Sequence, residues 1–215
     1  MKETERLRLV ELYTIEGEAY AGGVVAVAGV DEVGRGALAG PVSAGACVLP
    51  RGPLIEFLND SKKLSAVRRE QVAASVRAVA TAWSVAHVEP GVIDELGIVG
   101  ALKSAMRTAV RNLGLVPDLV LLDGNPLGLG LSERTIVRGD AQVACIAAAS
   151  VLAKVERDAL MVRLDESFPG YGFASNKGYG AEVHIRAIEE RGLSAAHRRS
   201  FCSRWTTHPD LGAPN

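Results

Sequence analysis

From Val24 to Val30 the chain reads VVAVAGV, an unbroken apolar run rich in β-branched residues that stops at two acids, Asp31 and Glu32. A continuous run, rather than an alternation of apolar and polar positions, predicts a strand covered on both faces. A second apolar run, Val42 to Leu49, ends at Pro50. The short Gly- and Pro-containing stretch between the two runs suits neighbouring strands of one sheet. Thr81 to Val88 reads as a third strand, with Asp118 to Leu122 and Thr135 to Val137 as two shorter ones.

Elsewhere the spacing is helical. Residues 1–20 predict a short charged helix running into the linker Ala21-Gly22-Gly23. Ser65 is placed to cap a helix whose apolar positions include Val67, Val72, Val76 and Val79. Pro90 opens a helical region that sets Leu102, Met106, Ala109 and Leu113 on one face, and Gly114 is a natural stop. After Asp140 the Ala-rich stretch AQVACIAAASVLAKVERDALMVRL is the clearest helix of the chain, ending near Pro169. Strands come first, and helices then alternate with short strands. The expected class is therefore α/β, a mixed central sheet flanked by helices.

Composition narrows the picture without changing it. At 215 residues the chain can bury a core of its own, and 48% hydrophobic against 23% charged residues excludes disorder. A formal net charge of −1 excludes binding of nucleic acid or membrane by bulk positive charge, though not by a local basic groove. Cys47, Cys145 and Cys202 form no C-x-x-C pair, which argues against a zinc ribbon or a disulfide framework and for a reducing compartment. The start, MKETERLRLVEL, is too charged for a signal peptide, and no apolar run approaches the roughly 20 residues of a membrane span. A cytoplasmic protein is expected.

Common catalytic motifs are absent. There is no G-x-x-x-x-G-K-[ST], no G-x-S-x-G and no H-E-x-x-H, and Gly34, Gly36 and Gly40 miss the dinucleotide fingerprint by one residue. His87, His184, His197 and His208 have no ligand spacing and read as surface or supporting residues. What remains is acids at strand ends: Asp31 and Glu32, then Asp123, then Asp140. Open α/β sheets build their sites there. Converging carboxylates repel one another unless a cation lies between them. An all-oxygen set suits Mg²⁺ or Mn²⁺ rather than zinc, and two such ions can drive phosphoryl transfer. Adjacent residues of a regular strand face opposite ways, so Asp31 and Glu32 can share a site only if the strand ends at Asp31. Asp158 competes with Asp140 for the last place. Roughly 27 Å of helix separates them, and Asp140, at the positive end of the helix dipole, is the better placed. Asp158 is expected to pair with a neighbouring base.

GVDEVGRGALAGPV (Gly29 to Val42), NDSKKLS (Asn59 to Ser65) and LLDG (Leu121 to Gly124) resemble segments of ribonuclease HII. So do RGD (Arg138 to Asp140), AAASVLAKVERD (Ala147 to Asp158), NKGYG (Asn176 to Gly180) and HRRSF (His197 to Phe201). The resemblance implies a ribonuclease H-like fold over residues 24–204 with a small helical C-terminal part. A helix and linker at 1–23 would precede it and a tail at 205–215 would follow. It implies endonucleolytic cleavage of RNA in RNA–DNA hybrids and at single ribonucleotides in duplex DNA, with two divalent ions held by Asp31, Glu32, Asp123 and Asp140. Gly34, Arg35, Gly36 and Tyr179 fall on residues that read the ribose 2′-hydroxyl, and Lys62 on a segment near backbone phosphates. Where the family often carries Thr, this chain has Ala181, which removes a local hydroxyl. The rival readings are a ribonuclease HIII-like nuclease and a non-catalytic hybrid-binding module. Arg35 in the loop favours type HII, and the four acids favour catalysis. Neither a membrane nor an obligatory protein partner is expected.

Overall fold

In a computed structural model, which describes residues 1–205, the five expected strands form one mixed sheet. They are β1 (Val27–Val33), β2 (Val42–Val48), β3 (Ala82–Val88), β4 (Leu119–Asp123) and β5 (Glu133–Ile136). Their order across the sheet is β3-β2-β1-β4-β5. The first three form an antiparallel meander, whereas β4 and β5 run parallel to β1. β1 is therefore central and buried, as its unbroken apolar run requires. It begins later than the hydrophobic run does, because Val25 is exposed.

The helices are α1 (Glu3–Leu12), α2 (Thr14–Ala21), α3 (Ala66–Val79), α4 (Pro90–Arg111), α5 (Ala144–Ser167), α6 (Phe173–Asn176) and α7 (Glu182–Arg191). Alternation along β1 sorts its side chains between two layers. Val27 joins the core beneath α5, α3 and α1, while Ala28 and Val30 join Leu102, Met106 and Ala109 of α4 on the other face. α6, α7 and the residues after them gather against the far half of α5 around Met161, Tyr171 and Phe173, forming the small helical C-terminal part. Of the tail expected at 205–215, Trp205 ends a 3-10 turn that begins at Ser203, and residues 206–215 lie outside the described residues. Among the described residues no helix is long and apolar enough to cross a membrane.

Two glycines let α5 lie directly on the sheet. A Cβ at Gly29 would stand 2.2 Å from the Cys145 carbonyl carbon, and one at Gly45 would stand 2.3 Å from the Ala149 carbonyl oxygen. The helix answers with buried Ala147, Ala148, Ala149 and Ala153. Asp31 pairs with Gly45 in the β1–β2 register, so it stands where the helix comes closest.

Several local expectations need correction. The N-terminal helix is broken at Tyr13 into α1 and α2. Ser65 caps α3 as expected, its Oγ accepting from the Arg68 N–H at 3.3 Å, but Val67 points to solvent. α4 is interrupted at Gly97, whose φ of 68° is left-handed. α5 starts at Ala144, not directly after Asp140. Gly139–Ala141 form a separate 3-10 turn entered through left-handed Arg138. The free amides at the helix start go to buried Glu16 of α2, which accepts from Cys145 at 2.6 Å and Ala144 at 3.3 Å. Glu16, and not Asp140, therefore occupies the positive end of the α5 dipole.

The α5–sheet contact is testable. Gly29→Ala should cost about 3 kcal/mol, because the obstruction is backbone and cannot step aside. Gly36→Ala, with nothing within 4 Å of its Cβ position, should change stability by less than about 0.5 kcal/mol. Urea unfolding midpoints of the two variants check the contrast.

Candidate active site

Three of the four expected acids converge at the ends of β1 and β4. These strands are parallel neighbours paired as far as Val30 and Leu122, so Asp31 and Asp123 follow side by side where that pairing stops. Asp140 arrives from the turn before α5. One carboxylate oxygen from each of Asp31, Asp123 and Asp140 lies within 4.8 Å of the others. Backbone amides hold two of the groups: Asp123 Oδ1 accepts from the Gly139 N–H at 2.6 Å, and Asp31 Oδ1 from the Glu32 N–H at 2.7 Å.

Glu32 is outside this trio. β1 does not end at Asp31 but continues to Val33, which pairs with Ser43, so Glu32 stays in strand register. Its half-buried carboxylate lies 3.8 Å from Arg35. It still senses the site. Burial raises its pKa above the usual carboxylate value, and the Asp123 charge adds to this, while Arg35 and Lys62 oppose it.

The trio is electrostatically uncomfortable. Burial, first of all, holds Asp31 well above its ordinary value; Ser150 on α5 opposes the rise, and Glu32, Asp123 and Asp140 add to it. Asp140 is raised by burial, then by Asp123 and Asp60, with Lys62 opposing. Lys62 Nζ lies 3.7 Å from Asp140 Oδ2 and is largely exposed. Its 3-10 turn, Ser61–Lys63, is capped by Asp60 and tied to α5 by Ser150 Oγ–H donating to Ser61 Oγ at 3.0 Å. Partial burial pulls the Lys62 ammonium down, but Asp140, Asp31, Asp60 and Asp123 outweigh it and raise it. An open cleft of about 580 Å³ lies between Lys62, Lys63, Asp123, Arg138 and Asp140. Oxygen donors this close, two buried and one half-buried, without His or Cys, fit a hard divalent cation.

The Gly34-Arg35-Gly36 turn and Tyr179 lie on a common support that sequence reasoning missed. Arg157 of α5 is fully buried and donates to the carbonyls of Pro41 (2.9 Å), Lys177 (2.9 Å) and Ala39 (3.3 Å). Arg198, equally buried, donates to Gly40 at 2.9 Å and Arg35 at 3.0 Å. Gly34 is left-handed, and a Cβ there would stand 2.1 Å from Arg157 Nε, so Gly is required. The half-exposed Tyr179 ring centroid lies 5.6 Å from Arg157 Cζ, and the Leu38 N–H donates to Gly178 O at 2.8 Å, joining the two loops. Burial lowers the pKa of both guanidiniums, that of Arg198 to about 10 with Arg157 contributing. The available signal was spacing: Arg157 continues the buried helical stripe of Ala149 and Ala153.

The remaining expectations divide. Asp158 pairs with bases, as expected: Lys154 at 2.6 Å and Arg69 at 3.7 Å. His87 is exposed, but His184 and His197 are buried against each other with Nε2 atoms 3.1 Å apart, so the surface reading fails for them. His208 lies outside the described residues. Ala181 occupies the N-cap of α7 and offers no side-chain cap, which is the hydroxyl this chain lacks.

Comparison with known proteins agrees with this arrangement. Residues 28–204 match the family model for ribonuclease HII. The ribonuclease HII of Moorella thermoacetica is 49% identical over 198 residues, covering 92% of this chain and 96% of that protein. That of Solibacter usitatus is 50% identical over 188 residues, covering 87% and 82%. The crystal structure of ribonuclease H2 from Pyrococcus horikoshii superposes with a TM-score of 0.71 at 24% identity, over 86% of this chain and all of that one, and so shares the fold. With its sheet, its acid trio and these relatives in agreement, the chain belongs to the ribonuclease HII family.

Proposed function

We propose that this site hydrolyses the RNA strand of RNA–DNA hybrids and also incises at single ribonucleotides in duplex DNA, leaving 3′-hydroxyl and 5′-phosphate ends. The observation that carries the reading is the close trio of buried Asp31, half-buried Asp123 and buried Asp140 at the edge of an open, lysine-flanked cleft. These three would hold one or two Mg²⁺ or Mn²⁺ ions, with Glu32 as a fourth acid at the rim. Bound there, divalent ions supply an activated water and offset charge on the scissile phosphate and the leaving oxygen.

The protein's own groups do the rest. Asp123 and Asp31, each tied to a backbone amide, present fixed oxygens, so little reorganisation is needed during reaction. Lys62 stands on the cleft wall as a charge for backbone phosphate. The Gly34-Arg35-Gly36 turn brings main-chain groups close to a sugar, and Tyr179 offers a hydroxyl on a rigid ring. Phosphate contacts cannot tell ribose from deoxyribose, so this hydroxyl and the turn carry the distinction. The ends follow from attack by water, not by the neighbouring 2′-hydroxyl, which would leave a cyclic phosphate.

Asp31→Asn and Asp123→Asn should abolish cleavage while leaving hybrid binding intact or tighter; near-normal turnover in saturating Mg²⁺ would overturn the assignment. Folding adds a second readout. A carboxyl held above its ordinary value contributes full stability below that value and loses it as pH rises through the folded one. At neutral pH in chelator, Asp31→Asn should therefore melt higher than the unaltered protein. Divalent ions at about a hundred times their Kd should raise the melting point of the unaltered protein by about 5–10 °C and that of the variant far less.

Lys62→Ala should weaken binding to junction and non-junction duplexes alike and reduce the slope of log K against log salt by about one contact. An unchanged slope would make Lys62 only a solvated charge. Tyr179→Phe should cost about 1–3 kcal/mol at a single-ribonucleotide junction and less in a long RNA tract, where other registers are available. The ratio of kcat/KM on the two substrates reads this directly.

A further inference from the structure

Three segments that hold none of the acids meet behind Tyr179, and a pair of buried histidines joins them. Gly40 N–H donates to Ala196 O and Arg198 N–H to Leu38 O, both at 2.8 Å, so residues 196–198 lie along 38–40, just after the Gly34-Arg35-Gly36 turn. Leu38 N–H in turn donates to Gly178 O, which brings in the turn that carries Tyr179. The third side of the triangle is made by side chains. The Ser194 N–H lies 3.0 Å from His197 Nδ1, His197 Nε2 lies 3.1 Å from His184 Nε2, and His184 Nδ1 lies 2.8 Å from the Tyr179 carbonyl oxygen.

The ends of this chain dictate the place of every hydrogen in it. An amide N–H only donates, so His197 Nδ1 carries a lone pair and the neutral ring has its hydrogen on Nε2. That hydrogen points at His184 Nε2, which must accept it and therefore keeps its own hydrogen on Nδ1. The Tyr179 carbonyl only accepts, and it receives that hydrogen. Two neutral rings satisfy all four ring nitrogens this way, and no other pair of tautomers does. An added proton on either ring would set two donors against each other.

The surroundings hold both rings neutral and in place. Phe173 meets His184 edge-on with centroids 5.3 Å apart, and Tyr171 packs on His197 at 4.8 Å. Burial lowers the pKa of His184, and burial with the neighbouring His184 lowers that of His197 to about 4. The carbonyl at the end of the relay belongs to the residue that carries the phenol. Its other donor, the Ala181 N–H at 2.8 Å, is local to the turn, so His184 is the contact that refers the Tyr179 peptide to the rest of the fold. The turn has little slack, since Gly178 is left-handed and a Cβ there would lie 2.2 Å from Ala39 O.

We propose that His184 and His197 are positioning residues for ribonucleotide recognition: their one-way hydrogen-bond relay pins the Tyr179 peptide and so sets where the phenol hydroxyl stands relative to the Gly34-Arg35-Gly36 turn. This rests on the reading of Tyr179 as the residue that meets the 2′-hydroxyl. Both histidines are buried, and neither hydrogen-bonds an acid of the trio. Their removal should therefore act on discrimination between substrates more than on chemistry.

Two polar substitutions separate the links. His184→Gln keeps a polar group toward His197 but withdraws the donor from Tyr179. His184→Asn keeps a donor near the Nδ1 position and drops the His197 link. The measurement is the ratio of kcat/KM on a duplex with one ribonucleotide to that on a long hybrid, taken with the melting point of each variant. His184→Gln should lower the ratio about threefold to tenfold, the worth of one hydrogen bond, and His184→Asn should restore most of it. In a Tyr179→Phe background His184→Gln should change the ratio no further. Should His184→Gln not fold, His197→Asn carries the test, because it leaves an acceptor for Ser194 but removes the hydrogen that dictates the His184 tautomer. A ratio that moves in Tyr179→Phe but not in the histidine variants, even where their melting points fall, makes the pair structural and overturns the relay alone. An unchanged ratio in Tyr179→Phe overturns the reading of Tyr179 and the relay with it.

Discussion

The arrangement depends on one backbone-to-backbone contact, that of α5 with the centre of the sheet. Gly29 on β1 and Gly45 on β2 have no Cβ to hold the helix away, and the alanines of α5 complete the approach. Side chains of ordinary size would hold the helix away from the strands. Here the close approach fixes three things together. It buries Asp31 beside Ser150, it delivers the turn with Asp140 to the end of β4, and it carries Arg157 beneath the Gly34 turn. Glu16 secures the start of the same helix from outside the sheet, so α1 and α2 belong to the support of the site although they lie away from it.

Charge is distributed by the same geometry. The acids crowd together, and Asp31 and Asp140 are raised above their ordinary pKa values by burial and by neighbouring carboxylates, which is unfavourable without a cation. The two buried guanidiniums are held differently. Arg157 and Arg198 receive no carboxylate in their hydrogen bonds and donate instead to main-chain carbonyls of residues 35–41 and 177, with Arg198 Nη2 left without a partner among the described residues. A carboxylate partner would have cancelled their charge, whereas carbonyl dipoles only solvate it. The loops proposed to meet a polyanion therefore keep two uncompensated positive charges behind them. A chain of formal net charge −1 thus suits a nucleic-acid substrate, because its charges are sorted and not averaged.

Much of this was legible in the chain because local rules and the fold agree. The apolar run before Asp31, the cap at Ser65 and the stripe of Leu102, Met106 and Ala109 behaved as their patterns require. Asp123 and Asp140 could be placed because each follows a short apolar strand. What escaped was set by partners distant in sequence. Glu32 could share the site with Asp31 only if the strand ended at Asp31, yet pairing of Val33 with Ser43 holds β1 extended past it. Asp140 was expected at the helix start, but an acid from α2, more than a hundred residues earlier, takes the amides. His184 and His197 lack ligand spacing and so read as surface or supporting residues, and their burial among Tyr171 and Phe173 makes them the latter.

The buried polar groups share a further property. Arg157, Arg198, His184 and His197 all direct hydrogen-bond donors inward from α5, from α7 or from the segment after α7. Three of the four end on carbonyls of the loops at 34–41 and 177–179, and His197 reaches the same carbonyls through His184. An apolar core of equal volume would pack these loops but would leave those carbonyls unsatisfied, each at a cost of about 1–3 kcal/mol. Donors with fixed direction are costly to bury and specify one loop geometry in return. Cleavage needs only that carboxylates converge, and two neighbouring strands and the turn before α5 achieve that. The proposed reading of a single hydroxyl asks more, because it needs a phenol held in one place, and the directed hydrogen bonds behind Tyr179 suit that demand.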